Sequence, residues 1–227
     1  MFLPKSSVGK KALMAVTGLF LFGFVVMHML GNLQIFLGQE ALNRYAEALE
    51  DLPELLWPAR VFLLASLMLH VWSASLLAIE NRRARPTTYV TKSYVRASYA
   101  SRTMMMSGLI VFFFIIYHLL HFTFGVIEPQ YAHLVDSKGR DDVFSMVVLG
   151  FRHRSVSLTY ITAMAVLGLH LSHGVSSLFQ SLGLSDERRQ PFFDGLARAA
   201  AFLIFIGNSS IPVSILTGLI HLPGKGV

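Results

Sequence analysis

Five long stretches without Asp, Glu, Lys or Arg dominate this chain. Each is about as long as a helix that crosses a hydrocarbon layer of ~30 Å, which takes roughly 20 apolar residues. The stretches cover residues 12–39, 61–79, 103–127, 155–185 and 199–224. We therefore predict an all-α integral membrane protein, one bundle over residues 1–227, with five transmembrane helices at about 12–37, 57–80, 103–127, 155–181 and 198–221.

The composition agrees with this class and excludes several kinds of chemistry. Of 227 residues, 54% are hydrophobic and only 14% are charged, as expected for a polytopic membrane protein. The chain has no cysteine, which excludes iron–sulfur clusters held by Cys, disulfides and covalent attachment of a c-type haem. It also lacks glycine-rich nucleotide-binding loops, so any nucleotide chemistry would belong to a partner protein.

The loop charges predict how the bundle is oriented. The side that holds the N-terminus carries twelve of the 19 basic residues and four of the 13 acidic ones. By the positive-inside rule we expect this side to face the cytoplasm. The basic face is explained either by contact with anionic membrane lipid or by docking of soluble subunits, for which the long segment from Asn81 to Arg102 is suited. We expect no nucleic-acid partner.

A short amphipathic segment follows the first apolar run. Its apolar residues recur at three- and four-residue steps among charged ones, at Leu42, Tyr45, Leu49 and Leu52. This spacing predicts a short helix lying at the membrane interface. We expect Pro53 to end it, and Trp57 with Pro58 to begin the second span at head-group depth.

Four histidines lie well inside four different apolar runs: His28, His70, His118 and His170. A titratable ring is costly in hydrocarbon unless it faces the bundle interior and has a partner, so intramembrane histidines are candidates for function. Any one of them could instead hydrogen-bond a neighbouring helix. At about 1.5 Å per helical residue, His28 and His118 lie roughly 25 Å from the N-terminal side, and His70 and His170 roughly 18 to 20 Å. The histidines thus form two pairs matched in depth.

Two such pairs predict two haems, stacked across the membrane, each held by one imidazole on either face. Gly31 and Gly174, about one helical turn from His28 and His170, are predicted to leave room for the porphyrins. His121 and His173 each lie three residues from a candidate ligand. Depth favours His118 over His121 but does not separate His170 from His173.

Several segments around these residues resemble one known family. They are GKKALMAVTGLF from Gly9, MHMLGNL around His28, RARP at 83–86, YHLLHF from Tyr117 and LHLSHGV from Leu169. Over nearly its whole length the chain is similar to the cytochrome b membrane-anchor subunit of succinate:quinone oxidoreductases (succinate dehydrogenases and fumarate reductases). The similarity is to the single-chain form with five helices and two haems b.

The resemblance implies a ligand set and partners. His70 and His170, the latter preferred over His173, would hold the haem nearer the cytoplasm, and His28 and His118 the outer haem. A flavoprotein and an iron–sulfur subunit would dock on the cytoplasmic face, in the cytoplasmic membrane of a prokaryote. Electrons would pass through the haems to a membrane quinone, expected to be menaquinone. Oligomerisation of the complex is left open.

The same resemblance suggests how protons are handled. Glu50 is the best match to an acid implicated at the family's quinone site near the outer haem, although it would equally suit the solvated face of the interfacial helix. Some members carry a glutamate two residues before the ligand in the fourth helix, linked to transmembrane proton transfer. Here that position is Gly168, so we expect no such pathway.

Two other functions fit the residues. One is the di-haem cytochrome b subunit of another quinone-linked enzyme, such as a nitrate reductase or hydrogenase, which would differ in its dehydrogenase partner. The other is a non-enzymatic transporter whose histidines titrate or bind a metal ion.

Overall fold

The structure, a computed structural model, describes residues 6–84 and 99–223, and the regular secondary structure in these ranges is helical. No strand occurs within these ranges. A 3-10 turn at Leu33–Leu37 and a π-helical turn at Leu119–Thr123 extend two of the helices. The α-helices are α1 (Ser7–Asn32), α2 (Gln39–Glu50), α3 (Pro53–Arg83), α4 (Tyr99–Arg102), α5 (Met104–His118), α6 (Val143–Arg152), α7 (Arg154–Ser181) and α8 (Gln190–Leu216).

Five segments are long and apolar enough to cross a membrane, which confirms the prediction of five spans. They are Ser7–Leu37, Pro53–Arg83, Met104–Thr123, Arg154–Ser181 and Gln190–Leu216. The second begins at Pro53, so Pro58 lies inside the helix rather than at its start. The fifth begins at Gln190, before the charged residues that bound the apolar run. Both helices have a proline in their first two positions, where its missing N–H costs nothing. These two helices therefore extend beyond the charge-free runs from which they were predicted.

The spans pack as an antiparallel bundle in which α7 and α8 are in closest contact, followed by α1 and α3. Small residues of α8 allow this approach, since Ala197 is fully buried and Ala201 nearly so. An ion pair between Lys10 and Glu80 joins the beginning of α1 to the end of α3. We call the side of the bundle where α1 begins the N-terminal side, and the side that carries α2 and α6 the far side.

The short amphipathic helix predicted after the first apolar run is present as α2, and it is held to the far side through buried polar groups. Leu42 is buried against the bundle, and Asn43 is fully buried. The Asn43 amide donates to Asp136 Oδ2 (3.2 Å) and Asp142 Oδ1 (3.0 Å), and its oxygen accepts from the backbone N–H of Phe144 (3.0 Å). Because buried polar groups are costly without partners, these bonds fix α2 against the start of α6.

A charged cluster reinforces this contact. The Arg140 guanidinium bonds Glu40 on α2 (2.8 Å) and Asp136 (2.7 Å), and Lys138 bonds Glu40 (2.7 Å). Hydrogen bonds from Arg140 and Lys138 lower the pKa of Glu40 to about 2. The far side therefore carries an ordered polar layer over the ends of the spans. Residues 85–98 are not described, so the docking role predicted for the segment from Asn81 to Arg102 falls largely outside the described residues.

Candidate functional site

The inner histidine pair consists of His70 on α3 and His170 on α7, and both rings are oriented by neighbouring helices. Nδ1 of His70 lies 3.1 Å from the carbonyl oxygen of Met14 on α1. Nδ1 of His170 lies 3.2 Å from the hydroxyl of Ser107 on α5. That hydroxyl itself donates to the carbonyl of Met104 (3.0 Å), so it accepts from His170. His70 and His170 lie near enough to each other to interact electrostatically.

These partners assign the tautomer of the inner pair. A carbonyl oxygen only accepts, so Nδ1 of His70 carries the proton, and the Ser107 geometry gives the same result for His170. Each ring is left with a lone pair on Nε2. This is the state in which histidine binds a metal, with its other nitrogen bonded to an oxygen that fixes the ring.

Two glycines allow these rings to lie against neighbouring helices. A Cβ at Gly18 of α1 would lie 3.1 Å from Cε1 of His70, and one at Gly108 of α5 would lie 3.2 Å from Cε1 of His170. Both distances are shorter than ordinary van der Waals contact, so a side chain at either position would press on the imidazole. The two glycines therefore set how closely α1 and α5 approach the inner histidines.

The outer pair, His28 on α1 and His118 on α5, is brought together with the two ring planes nearly perpendicular. The ring centroids are 5.7 Å apart and the ring planes are inclined at 84°. Imidazole nitrogens bind metal ions at about 2 Å, so two rings on opposite sides of one ion have centroids roughly 6 Å apart. The observed spacing of 5.7 Å is close to this value.

The alternative outer ligand, His121, is engaged at both ring nitrogens. Nδ1 lies 3.0 Å from the Tyr160 hydroxyl and Nε2 lies 3.1 Å from Glu128 Oε2. The residue is only 4% exposed. Neither nitrogen of His121 is therefore free, whereas the hydrogen bond of His118 is made through Nδ1; the choice of His118 as a ligand stays a prediction. Sequence reasoning singled out neither Glu128 nor Tyr160.

The other predicted site residues lie in varied surroundings. Gly31 faces α2, where a Cβ would lie 2.6 Å from the hydroxyl of Tyr45, so the observed neighbour of this glycine is a tyrosine. Its predicted role beside a haem stays a prediction. An added Cβ at Gly174 would meet no atom of another part of the structure within 4 Å, and the predicted role of Gly174 beside a haem also stays a prediction. His173 interacts electrostatically with Asp194 of α8.

Glu50, the predicted quinone-site acid, is the last residue of α2 and is exposed. Partial desolvation is the main cause that raises its pKa above the ordinary range, and the carboxylate of Asp141 adds to it, while Arg60 opposes. The group is therefore more easily protonated than an isolated glutamate, although it has no hydrogen bond to either histidine pair.

Comparisons of the chain with models of protein families, with curated proteins and with solved structures gave no match. The fold and the histidines define a class without such a match: a helical membrane protein of five spans with paired intramembrane imidazoles. Within the described residues, no group of three or more His, Asp or Glu side chains is arranged to hold a bare metal ion. Pairs suffice for haem, because the porphyrin supplies the remaining four nitrogens.

Proposed function

We propose that this chain is the cytochrome b membrane-anchor subunit of a succinate:quinone oxidoreductase and holds two haems b. His70 and His170 would bind the inner haem, and His28 and His118 the outer haem. The observation that carries the proposal is the arrangement of the pairs. In one pair the ring centroids are 5.7 Å apart, close to the spacing of two imidazoles on one ion, and in the other both rings keep Nε2 available because Nδ1 is bonded elsewhere.

The bound haems would supply one-electron redox centres, and two imidazoles per iron leave no open position for substrate. The chain's own contribution is to position and insulate. The Met14 carbonyl and the Ser107 hydroxyl orient the inner ligands. Phe24 stacks on His28, with ring centroids 5.3 Å apart, and so holds one outer ligand in place.

The proposed partners follow from the resemblance and the charge pattern. A flavoprotein and an iron–sulfur subunit would dock on the basic N-terminal side, which would face the cytoplasm of a prokaryote. The electron acceptor would be a membrane quinone, proposed to be menaquinone. This chain would contain no dicarboxylate site and would serve as the quinone-reactive end of the complex.

The test is a haem count with a redox titration of the purified protein. We expect two b-type centres per chain, and the loss of one centre in each of four variants in which a single ligand histidine is replaced by alanine. Variants of His70 and His170 should lose the same centre, and variants of His28 and His118 the other. A colourless protein would refute the proposal and favour a transporter. Co-purification of a covalently flavinylated subunit would separate this enzyme from other quinone-linked cytochromes.

A further inference from the structure

The spans α1 and α5 repeat one sequence pattern at an offset of 90 residues. Residues 14–28, MAVTGLFLFGFVVMH, align without a gap with residues 104–118, MMMSGLIVFFFIIYH, and six of the fifteen positions are identical. Matches among Leu, Ile, Val and Phe carry little weight, because these residues dominate any transmembrane helix. The informative matches are the histidine that ends each segment and, ten residues before it, a glycine preceded by a hydroxyl residue: Thr17 with Gly18, and Ser107 with Gly108.

In α1, this pattern contacts the inner histidine of the helix that follows it. Nδ1 of His70 on α3 lies 3.1 Å from the carbonyl oxygen of Met14 and 3.5 Å from the hydroxyl oxygen of Thr17. The Thr17 hydroxyl donates to the carbonyl of Leu13 at 2.7 Å, so its oxygen accepts from the imidazole. Thr17 is buried. The ring of His70 is thus held by two acceptors from one turn of α1.

In α5, the same positions contact the inner histidine of α7. The imidazole of His170 bonds the carbonyl of Met104, and its Nδ1 lies 3.2 Å from the hydroxyl of Ser107. Met104 and Ser107 are the residues that correspond to Met14 and Thr17. Ser107 is also buried. Each inner histidine therefore has a carbonyl and a hydroxyl acceptor, supplied from corresponding positions.

The glycine of each pattern lies against the same edge of the imidazole. A Cβ at Gly18 would lie 3.1 Å from Cε1 and 3.4 Å from Nδ1 of His70. A Cβ at Gly108 would lie 3.2 Å from Cε1 and 3.7 Å from Nδ1 of His170. The two helices therefore approach the inner rings at nearly the same distance and on the same side of the ring.

The outer histidines also have corresponding neighbours. Phe24 precedes His28 by one helical turn, and their rings have centroids 5.3 Å apart and planes inclined at 22°. Phe114 precedes His118 by one turn, with centroids 6.1 Å apart and planes inclined at 31°. An aromatic ring thus lies beside each outer histidine at the same position of the pattern.

These contacts describe two copies of one arrangement, which we call the first unit (α1 and α3) and the second unit (α5 and α7). In the antiparallel bundle α1 and α5 run in the same direction, and α3 and α7 return. Membrane repeats of equal orientation are related by an axis along the membrane normal. Each histidine pair takes one member from each unit, at corresponding positions. A twofold axis that relates the units would therefore pass between the members of both pairs.

The units differ where the far side begins. Three residues after the outer histidine, the first unit has Gly31 and the second has His121. Gly31 leaves room for Tyr45 of α2, whereas His121 bonds Tyr160 and Glu128. The repeat therefore covers the residues that contact the candidate ligands and ends at those that contact the far-side segments.

We propose that the first and second units are two copies of one haem-binding unit and that Thr17, the counterpart of Ser107, is a positioning residue for the inner haem. The inference rests on the proposed function, which supplies the haem. Thr17 would hold the ring of His70 with Nε2 toward the iron, as Ser107 holds that of His170. Both ligands would then be made more basic in the same way, since each gives its Nδ1 proton to a carbonyl and a hydroxyl.

A purely local role for the two hydroxyls would leave the repeat unexplained. Serine and threonine in helices commonly bond a carbonyl of the preceding turn, and Thr17 and Ser107 both do so. That bond satisfies the hydroxyl proton, but it does not require an imidazole beside the oxygen. Both oxygens nevertheless lie within hydrogen-bond distance of an inner histidine. The redox potential of the inner haem separates the two roles, because a hydroxyl that served its own helix alone would not affect it.

The experiment compares single and double variants of the purified full-length protein. Thr17→Val removes the hydroxyl at similar side-chain size, Thr17→Ser restores it, and Ser107→Ala removes its counterpart. Thr159→Val is the matched control, since Thr159 is an exposed residue of α7 whose hydroxyl donates to the carbonyl of Ser155 at 2.9 Å. Spectroelectrochemical titration gives the midpoint potential of each haem, and a pyridine haemochrome assay gives the haem count.

Thr17→Val should raise the midpoint potential of the inner haem, at the same centre and in the same direction as Ser107→Ala. Its shift should be the smaller one, because the Thr17 oxygen lies 3.5 Å from its histidine and the Ser107 oxygen 3.2 Å. The double variant should shift the potential further than either single variant. Thr17→Ser should return it to the wild-type value, and Thr159→Val should leave it there. No shift in Thr17→Val, a downward shift, or a shift of the outer haem would overturn the inference.

The glycines provide a second test in case Thr17→Val does not fold. Gly18→Ala and Gly108→Ala each press a methyl group on an inner ring, so both should alter the EPR signal of the inner ferric haem, which depends on the orientation of the axial imidazoles. Gly23→Ala is the control, because an added Cβ there meets open space and the corresponding residue of α5 is Phe113. An altered signal in only one of the two glycine variants would contradict the equivalence of the units.

Haem content separates the two levels of the argument. A wild-type protein without b-type absorption would refute the proposed function, and the inference with it. Two bound haems with the same potentials in wild type and Thr17→Val would refute the inference alone.

Discussion

The hydrogen bond between Ser107 and His170 should tune the redox potential of the proposed inner haem. An imidazole that donates from Nδ1 to an oxygen is a stronger electron donor to the metal at Nε2, which favours ferric iron. Replacing Ser107 by alanine removes the oxygen that lies 3.2 Å from Nδ1. We therefore expect Ser107→Ala to raise the midpoint potential of the inner haem while both haems stay bound.

The size of this shift follows from the partners that remain. A neutral hydrogen bond contributes about 0.5 to 1.5 kcal/mol, and for a one-electron couple 1 kcal/mol corresponds to about 40 mV. The carbonyl of Met104 also bonds His170 and stays in place in the variant. Part of the effect is therefore retained, and we expect a shift on the order of 20 to 30 mV, at the lower end of this range.

Spectroelectrochemical titration of the purified protein measures this shift, and Ser73→Ala is the matched control. Ser73 is a buried serine on α3 that donates to the backbone carbonyl of His70 at 3.0 Å and does not bond the imidazole. The Ser73→Ala variant should leave both midpoint potentials unchanged within experimental error. A downward shift in Ser107→Ala, or a shift confined to the outer haem, would show that His170 is not oriented as described.

Three further predictions concern the outer pair and the far side. His118→Ala should leave one haem per chain and His121→Ala two, because both nitrogens of His121 are already bonded; a pyridine haemochrome assay gives the count, and equal loss in both would contradict the assignment. Gly31→Ala should lower stability by about 1 to 3 kcal/mol, the cost of forcing extra volume into a packed site, since its methyl would meet a tyrosine of α2. In Gly23→Ala the added methyl faces open space, so this control should keep the stability of the wild type. Thermal unfolding in detergent compares the two variants. At a pH above the ordinary pKa of a glutamate, the charged Glu40 stabilises the far side. This contribution should be lost as the pH falls toward about 2, the pKa of Glu40 in the folded protein. Proteolysis of the far-side loop, residues 124–142 between the π-helical turn and α6, should therefore increase on acidification in wild type and change less in Glu40→Gln.

The depth of the histidines could be predicted from their positions in the sequence, but the choice between neighbouring histidines could not. Depth along a helix is a local property, because each residue adds about 1.5 Å, so His28 and His118 could be placed at one level before any packing was known. The same count separates His121 from His118 only by a single turn. What decides between them is whether their nitrogens are engaged, and this depends on Tyr160 and Glu128.

The sequence alone determined the class of this protein: long charge-free runs have to form helices in hydrocarbon, since every backbone polar group must be satisfied within its own segment. It also showed which side chains, the four histidines inside the apolar runs, would cost free energy in hydrocarbon without a partner. The tertiary structure alone decided which groups those side chains contact. Tyr45 lies over Gly31, and Glu128 lies between His121 and His153, although nothing in the local pattern marks these contacts. They arise where the far-side loop and α2 fold over the ends of the spans, and such meetings depend on the path of the whole chain rather than on the composition of any one segment.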